Sequence, residues 1–276
     1  MPSNIKSIIL DMDGVLWRAG HPIGDVPALF ERMRRLGLNV MLATNNATKS
    51  VEQFLAQFAR LGVRLEPRQV VTSAVVTAAY LRTRYPAGTP VFVVGEDALR
   101  DTLREYGLAP LPADEFPAET PPVVAVGMDW HITYRRLRHA ALLIRRGATF
   151  IGTNPDRTFP TPEGLAPGAG SLLAALEAAT DTAPHIMGKP APEMFRQCLE
   201  RLGTSPAETL MVGDRLETDI RGAQALGIRT ALVLSGVTSP QQAEAASPPP
   251  DWIADDLSAL LDSLPLPASP TPDPSP

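Results

Sequence analysis

Short apolar runs alternate with amphipathic stretches almost from end to end of this chain, and that alternation leaves few folds open. Runs that are apolar on consecutive residues predict strands buried on both faces at Ile5–Asp11, Asn39–Thr44, Pro90–Gly95, Val123–Gly127, Thr149–Gly152, 208–213, 230–234 and 252–254. Apolar residues spaced three and four apart predict helices at Val26–Leu36, Ser50–Leu61, Ser73–Tyr85, Ala98–Tyr106, Tyr134–Arg146, from Gly170 through Ala179, and at 193–202, 217–226, 240–246 and 257–264. In Val26–Leu36, for example, Leu29, Phe30, Met33 and Leu36 share one face. Strand, helix and strand in succession call for parallel crossovers. The expected fold class is therefore α/β, with a doubly wound parallel sheet covered on both faces. Open sheets of this kind hold ligands beyond the C-terminal ends of their strands.

Three of those ends carry chemistry. After Ile8-Ile9-Leu10 comes Asp11-Met12-Asp13-Gly14-Val15-Leu16-Trp17. In an extended segment residues i and i+2 share a face, so Asp11 and Asp13 are expected in one small volume. Like charges there repel unless a cation neutralises them, and a divalent ion is the simplest one. Gly14 lets the chain turn sharply. The second end is Thr44-Asn45-Asn46, a hydroxyl and two amides. The third is Gly213-Asp214-Arg215-Leu216-Glu217-Thr218-Asp219. Alone, each is a common turn or cap, because these side chains bond nearby backbone. Together they offer carboxylates for a hard cation, and a hydroxyl and amide for phosphoryl oxygens. Lysine occurs only as Lys6, Lys49 and Lys189, so 22 of the 25 basic residues are arginine. A lysine kept within Met187-Gly-Lys-Pro190 supplies the compact point charge that suits phosphate.

With these residues in view, the chain resembles the haloacid dehalogenase-like (HAD) superfamily of phosphohydrolases. Within it, the chain is similar to class IIA, the NagD-like, p-nitrophenylphosphatase-like and phosphoglycolate phosphatase-like group. The likeness runs from Ile5 to about Leu264. Asp-Met-Asp-Gly-Val-Leu-Trp matches the first motif, Thr-Asn-Asn the second, Gly-Lys-Pro the third and Gly-Asp-Arg-x-x-Thr-Asp the fourth. Thr153-Asn-Pro-Asp156, Pro160-Thr161 and Pro167-Gly-Ala-Gly-Ser171 look like the group's cap signature. The resemblance implies a Rossmann-like core with an inserted C2-type α/β cap. It implies a Mg2+-dependent phosphatase of small phosphate monoesters, working through an aspartyl-phosphate. Asp11 would be the nucleophile and Asp13 the general acid and base. Mg2+ would be held by an Asp11 oxygen, the Asp13 carbonyl and Asp214. Thr44, Asn45 and Lys189 would bind phosphate, and Asp219 would bind a metal water or orient Lys189. Thr153, Asn154, Asp156 and Arg157 would read the substrate. Nucleoside monophosphates, phosphoglycolate and sugar or polyol phosphates all suit such a site, with p-nitrophenyl phosphate as surrogate. Cap-to-cap homodimers are implied by analogy alone.

Spacing gives the domain expectation. Between Asp11 and Thr44 lie 32 residues, room for a small flap at Trp17–Asp25 and one helix, whereas 143 separate Asn45 from Lys189. Removing two core helices from the longer gap leaves a second domain of ordinary size, about 95 residues. The expected order is core at 1–86, cap at 87–180, core at 181–264 and a disordered proline-rich tail at 265–276. Six of the chain's 29 prolines fall in that tail.

Other classes fit less well. A dehalogenase needs no acid at position 13, and a phosphomutase would need cap-sized room between the first two motifs. A non-catalytic phospho-ligand protein on the same fold is the alternative reading, but the nucleophile and the metal-binding acids are all present. The pair Gly168-x-Gly170 before a helix suggests an anion site, yet it lacks the third glycine of a dinucleotide fingerprint. A net charge of −5 gives no footprint for a nucleic acid polymer. No apolar stretch approaches a membrane span, and no signal-like leader is visible, so the expected location is the cytoplasm. Without such a leader, the glycosylation triplet Asn46-Ala47-Thr48 carries no weight. The single cysteine, Cys198, lies on the apolar face with Met194, Phe195, Leu199 and Leu202 and is expected to be a core thiol. His185 is expected to be structural.

Overall fold

The computed structural model describes residues 5–18, 20–161 and 163–264, with no side chain described at Pro160. The proline-rich tail at 265–276 lies outside the described residues. The chain forms two compact units, one made of Met1–Met41 with Leu202–Pro276, the other of Leu42–Arg201.

In the first unit, Ser7–Leu10 pairs in parallel with Thr209–Gly213, with Leu10 opposite Val212. Thr209–Gly213 pairs with Arg229–Val233, and that strand with Trp252–Ala254, again in parallel. On the other side of Ser7–Leu10 the strand Asn39–Thr44 begins, its Asn39 N–H donating to the Lys6 carbonyl at 3.0 Å. Every residue of Ser7–Leu10 and Thr209–Gly213 is buried, as consecutive apolar runs predict. The helix Val26–Arg35 starts where Asp25 accepts the Ala28 N–H at 3.1 Å, and it has a proline in its first turn. It packs against Leu257–Ser263, with Arg32 bonded to the Ser258 carbonyl and paired with Asp262. A small antiparallel hairpin joins Trp17–Arg18 to His21–Pro22.

One element departs from expectation. The helix expected over 217–226 is a π-helical turn at Leu216–Ile220 followed by a short α-helix at Arg221–Gln224. The Arg215 carbonyl accepts the N–H groups of both Asp219 (3.1 Å) and Ile220 (3.3 Å). A turn widened by one residue re-aims its side chains, and here Asp219 ends fully buried.

In the second unit, the last half of Asn39–Thr44 pairs in parallel with Val70–Thr72. A five-stranded parallel sheet follows, in the order His185–Ile186, Thr149–Gly152, Val123–Val126, Pro90–Val94, Ala109–Pro112. Its core gathers Phe92, Val124, Leu143, Phe150, Leu173 and Leu176. The helices are Val51–Arg60, Ser73–Arg84, Asp97–Glu105, Tyr134–Arg145, Ala169–Thr180 and Pro192–Leu202. An antiparallel hairpin pairs Thr158–Thr161 with Gly164–Pro167. Cys198 is fully buried, and burial pushes its thiol up to about 12, the behaviour of a core residue. Among the described residues no helix is long and apolar enough to cross a membrane. The observed fold is α/β with parallel sheets and flanking helices, as the alternation predicts.

Candidate functional site

In the first unit two neighbouring strands end in acids. The Asp11 N–H donates to the Val212 carbonyl at 2.9 Å, so the chain keeps its place one residue beyond Leu10. Asp11, Asp214 and Asp219 are 8%, 1% and 0% exposed, and one oxygen from each lies within 4.8 Å of the others. The surroundings fix two of them. Asp214 Oδ2 accepts the Val237 N–H at 2.8 Å, and its carbonyl accepts the Thr238 hydroxyl at 2.6 Å. Asp219 Oδ2 accepts the Arg215 N–H at 3.1 Å. A Cβ at Gly236 would lie 1.9 Å from Asp214 Oδ2, and one at Gly14 would lie 2.4 Å from the same atom. Gly14 also holds φ +87°, a conformation that favours glycine. Three carboxylates crowded out of water repel one another. Their hard oxygens are the donors that Mg2+ or Ca2+ takes, so the donor set fits a divalent cation.

Asp13 does not join this cluster. The strand stops at Leu10 and its last ladder bond is that of Asp11, so the alternation of faces expected to aim Asp11 and Asp13 together ends before it reaches Asp13. Asp11 turns inward, whereas Asp13 is exposed and its Oδ1 accepts the Trp17 indole N–H at 3.0 Å.

The second unit gathers the remaining residues singled out in the sequence. Thr44 is buried and its hydroxyl oxygen accepts the Asn46 N–H at 3.1 Å. Lys189, 2% exposed, donates from Nζ to the Ala43 carbonyl at 3.0 Å. Asn45 Nδ2 donates to the Lys189 carbonyl at 2.9 Å and to Asp156 Oδ2 at 3.2 Å. The Asn45 carbonyl in turn accepts the Ser73 hydroxyl at 2.7 Å and the Asn154 amide at 2.8 Å. Thr153 accepts the Gly188 N–H through its carbonyl at 2.8 Å, and Asp156 donates its N–H to Asn154 Oδ1 at 3.1 Å. Asn45, Lys189 and the loop Thr153–Asp156 are thus one bonded network. Arg157, next along, is exposed. A Cβ at Gly188 would sit 2.5 Å from Asn45 Oδ1, so only glycine fits there.

The glycines of Pro167–Ser171 serve this loop and not an anion. The Gly168 N–H donates to the Arg157 carbonyl at 2.8 Å and the Gly170 N–H to the Asp156 carbonyl at 2.9 Å. Cβ atoms there would lie 2.3 Å from the Asp156 carbonyl oxygen and 2.2 Å from that of Pro155. Amides already engaged cannot hold a phosphate, which overturns the anion reading of Gly168-x-Gly170. His185 bonds the Tyr80 hydroxyl through Nδ1 at 2.9 Å, and its Nε2 lies 3.7 Å from Glu193. Sequence reasoning missed Trp17 and Gly236. The indole's place four residues after Asp13 is a signal that could have been used; Gly236 leaves none.

The model of the haloacid dehalogenase-like hydrolases matches residues 8–109, and a HAD-hydrolase-like model matches 186–260. An acid sugar phosphatase of Staphylococcus aureus (strain USA300) is 33% identical over 259 residues, covering 94% of this chain and 98% of the relative. The structure of a p-nitrophenyl phosphatase from Archaeoglobus fulgidus is similar at a TM-score of 0.87 and 29% identity, over 95% of this chain and 100% of that one. A glycerol phosphate phosphatase from Mycobacterium tuberculosis, solved in complex with magnesium, gives 0.85 and 35%, over 93% of this chain and 76% of that one.

Proposed function

This chain belongs to the haloacid dehalogenase-like hydrolases and acts on small phosphate monoesters, and we propose that it does so through an aspartyl-phosphate on Asp11 with Mg2+ as cofactor. The observation that carries this reading is the contrast between a buried cluster of Asp11, Asp214 and Asp219 and an exposed Asp13 two residues from the first of them.

An oxygen of Asp11 attacks phosphorus as the ester P–O bond breaks, and Asp13 gives its proton to the departing alkoxide. Asp13, now ionised, takes a proton from water as that water attacks phosphorus. The bond from phosphorus to Asp11 breaks, and inorganic phosphate and free Asp11 result. Asp11, Asp214 and the Asp13 carbonyl would hold Mg2+, with Asp219 behind them. When bound, such a cation offsets repulsion between the nucleophile and the phosphate dianion and favours in-line geometry.

Phosphate binding is assigned to Thr44, Asn45 and Lys189. Residues 87–180 are read as the cap, with Thr153, Asn154, Asp156 and Arg157 as its substrate loop. Asn154 and Asp156 are occupied in holding that loop, so Arg157 is the side chain left to meet the organic part of the substrate. Relatives described as acid sugar phosphatase and glycerol phosphate phosphatase favour sugar and polyol phosphates over the other classes.

The test is hydrolysis of p-nitrophenyl phosphate with Mg2+. Turnover should stop with EDTA and return with added Mg2+. Asp11→Asn should lower kcat at least about a thousandfold, since it removes the attacking anion. Turnover indifferent to EDTA, or an active Asp11→Asn, would overturn the proposal.

A further inference from the structure

We propose that Trp17 is a positioning residue for the proton-transferring carboxylate, and that its indole N–H sets which substrates the enzyme turns over well. This inference rests on the role given to Asp13 above and adds a residue to it.

A carboxylate at the surface rotates about its own bonds, and an acid that must meet a departing oxygen loses rate by wandering. Asp13 is exposed, yet Trp17 Nε1 holds its Oδ1 at 3.0 Å. Trp17 is 5% exposed, and its backbone is fastened at both polar groups. The Gly14 N–H donates to the Trp17 carbonyl at 2.7 Å, and the Trp17 N–H donates to the Met12 carbonyl at 3.3 Å. Asp13 and Trp17 also form an isolated bridge. On the far side, Trp17 pairs with Pro22 in the hairpin, and the Ile23 N–H donates to the Leu16 carbonyl at 2.9 Å. A buried indole N–H needs an acceptor, and the one it takes is a carboxylate oxygen of Asp13. With Oδ1 held, the carboxyl group turns less freely about its own bonds.

The consequence depends on the leaving group. Nitrophenolate is a stable anion and departs with little help, whereas an alkoxide such as that of glycerol needs its proton as the bond breaks. A misplaced Asp13 should therefore penalise alkyl phosphates and spare nitrophenyl phosphate.

The experiment compares kcat/KM for glycerol 3-phosphate, phenyl phosphate and p-nitrophenyl phosphate, since this parameter reports the steps up to loss of the alcohol. Two variants are used: Trp17→Phe, and replacement of Trp17 by 3-benzothienylalanine, which keeps the bicyclic shape and lacks the N–H. Both should lose about tenfold on glycerol 3-phosphate, a change general acid catalysis readily accounts for, and less than about twofold on p-nitrophenyl phosphate, with phenyl phosphate between. On an Asp13→Asn background, Trp17→Phe should add no further selectivity. An equal loss on all three substrates would mean that the ring merely packs, and no loss would mean that the bond is idle; either overturns the inference. If wild type is active and EDTA-sensitive and Asp11→Asn is dead while the Trp17 variants lose evenly, only the Trp17 inference falls. If Asp11→Asn is active, the reaction scheme falls first.

Discussion

A single methyl group at position 236 would meet the Asp214 carboxylate 1.9 Å away, less than any contact two such atoms can share. Gly236→Ala must therefore push Asp214 aside or move the chain around it. The expected outcome is a loss of about 1–3 kcal/mol of stability, read by thermal unfolding, and a higher Mg2+ requirement in p-nitrophenyl phosphate turnover. A variant with unchanged melting and Mg2+ dependence would show that Asp214 needs no such close backing. Positions such as this mark the limit of reading residues from sequence. Asp11, Asp13, Lys189 and Asp214 stand out because carboxylates at strand ends and a rare lysine are chemically odd wherever they fall. Gly236, Gly168 and Gly170 owe their identity to the atoms that approach them, and a one-dimensional pattern holds no trace of that approach. The paired glycines before Ala169–Thr180 even suggest the wrong partner, an anion, until the Asp156 and Arg157 carbonyls are seen to occupy their amides.

Helix ends were more legible than short strands. Val51–Arg60 opens with a capping box, Ser50 accepting the Gln53 N–H at 3.3 Å and the Gln53 side chain accepting the Ser50 N–H at 2.8 Å. Ser50→Ala should cost about 1 kcal/mol in urea unfolding and leave kcat unchanged; no change in stability would mean that the cap is redundant. Long periodic segments such as Tyr134–Arg145 lie within a residue of where their apolar spacing puts them. Val70–Thr72 and His185–Ile186 are not legible, because two or three residues show no period. Ala109–Pro112 is hidden for another reason. Its prolines read as loop, but they alternate along an edge strand, where their missing N–H groups leave the paired side intact. The widened turn at Leu216–Ile220 looks like ordinary helix in the sequence, since π and α turns draw on the same residues.

For the molecule as a whole, three acids that repel one another in the native state and separate on unfolding couple cation binding to folding. Mg2+ should raise the melting temperature, by an amount equivalent to about 2.7 kcal/mol at a hundred times its dissociation constant. EDTA should reverse the rise, and Asp214→Asn should nearly abolish it. A melting curve that ignores Mg2+ in wild type would count against a cation at this cluster. The parallel arrangement follows from the alternation of strand and helix, because no other layering buries so many two-sided apolar runs. The number and order of strands in each sheet does not follow, since seven of the strands formed by the described residues are too short or too proline-rich to read.

The Asn45 carbonyl, receiving both Ser73 and Asn154, has an evolutionary corollary. A lineage shifting from one phosphorylated metabolite to another could exchange Arg157 freely, because that side chain sits just past the tethered stretch. Any exchange at Asn154 would also unfasten the loop from its mooring, so new diets should arise by changes on one side of that knot and seldom within it.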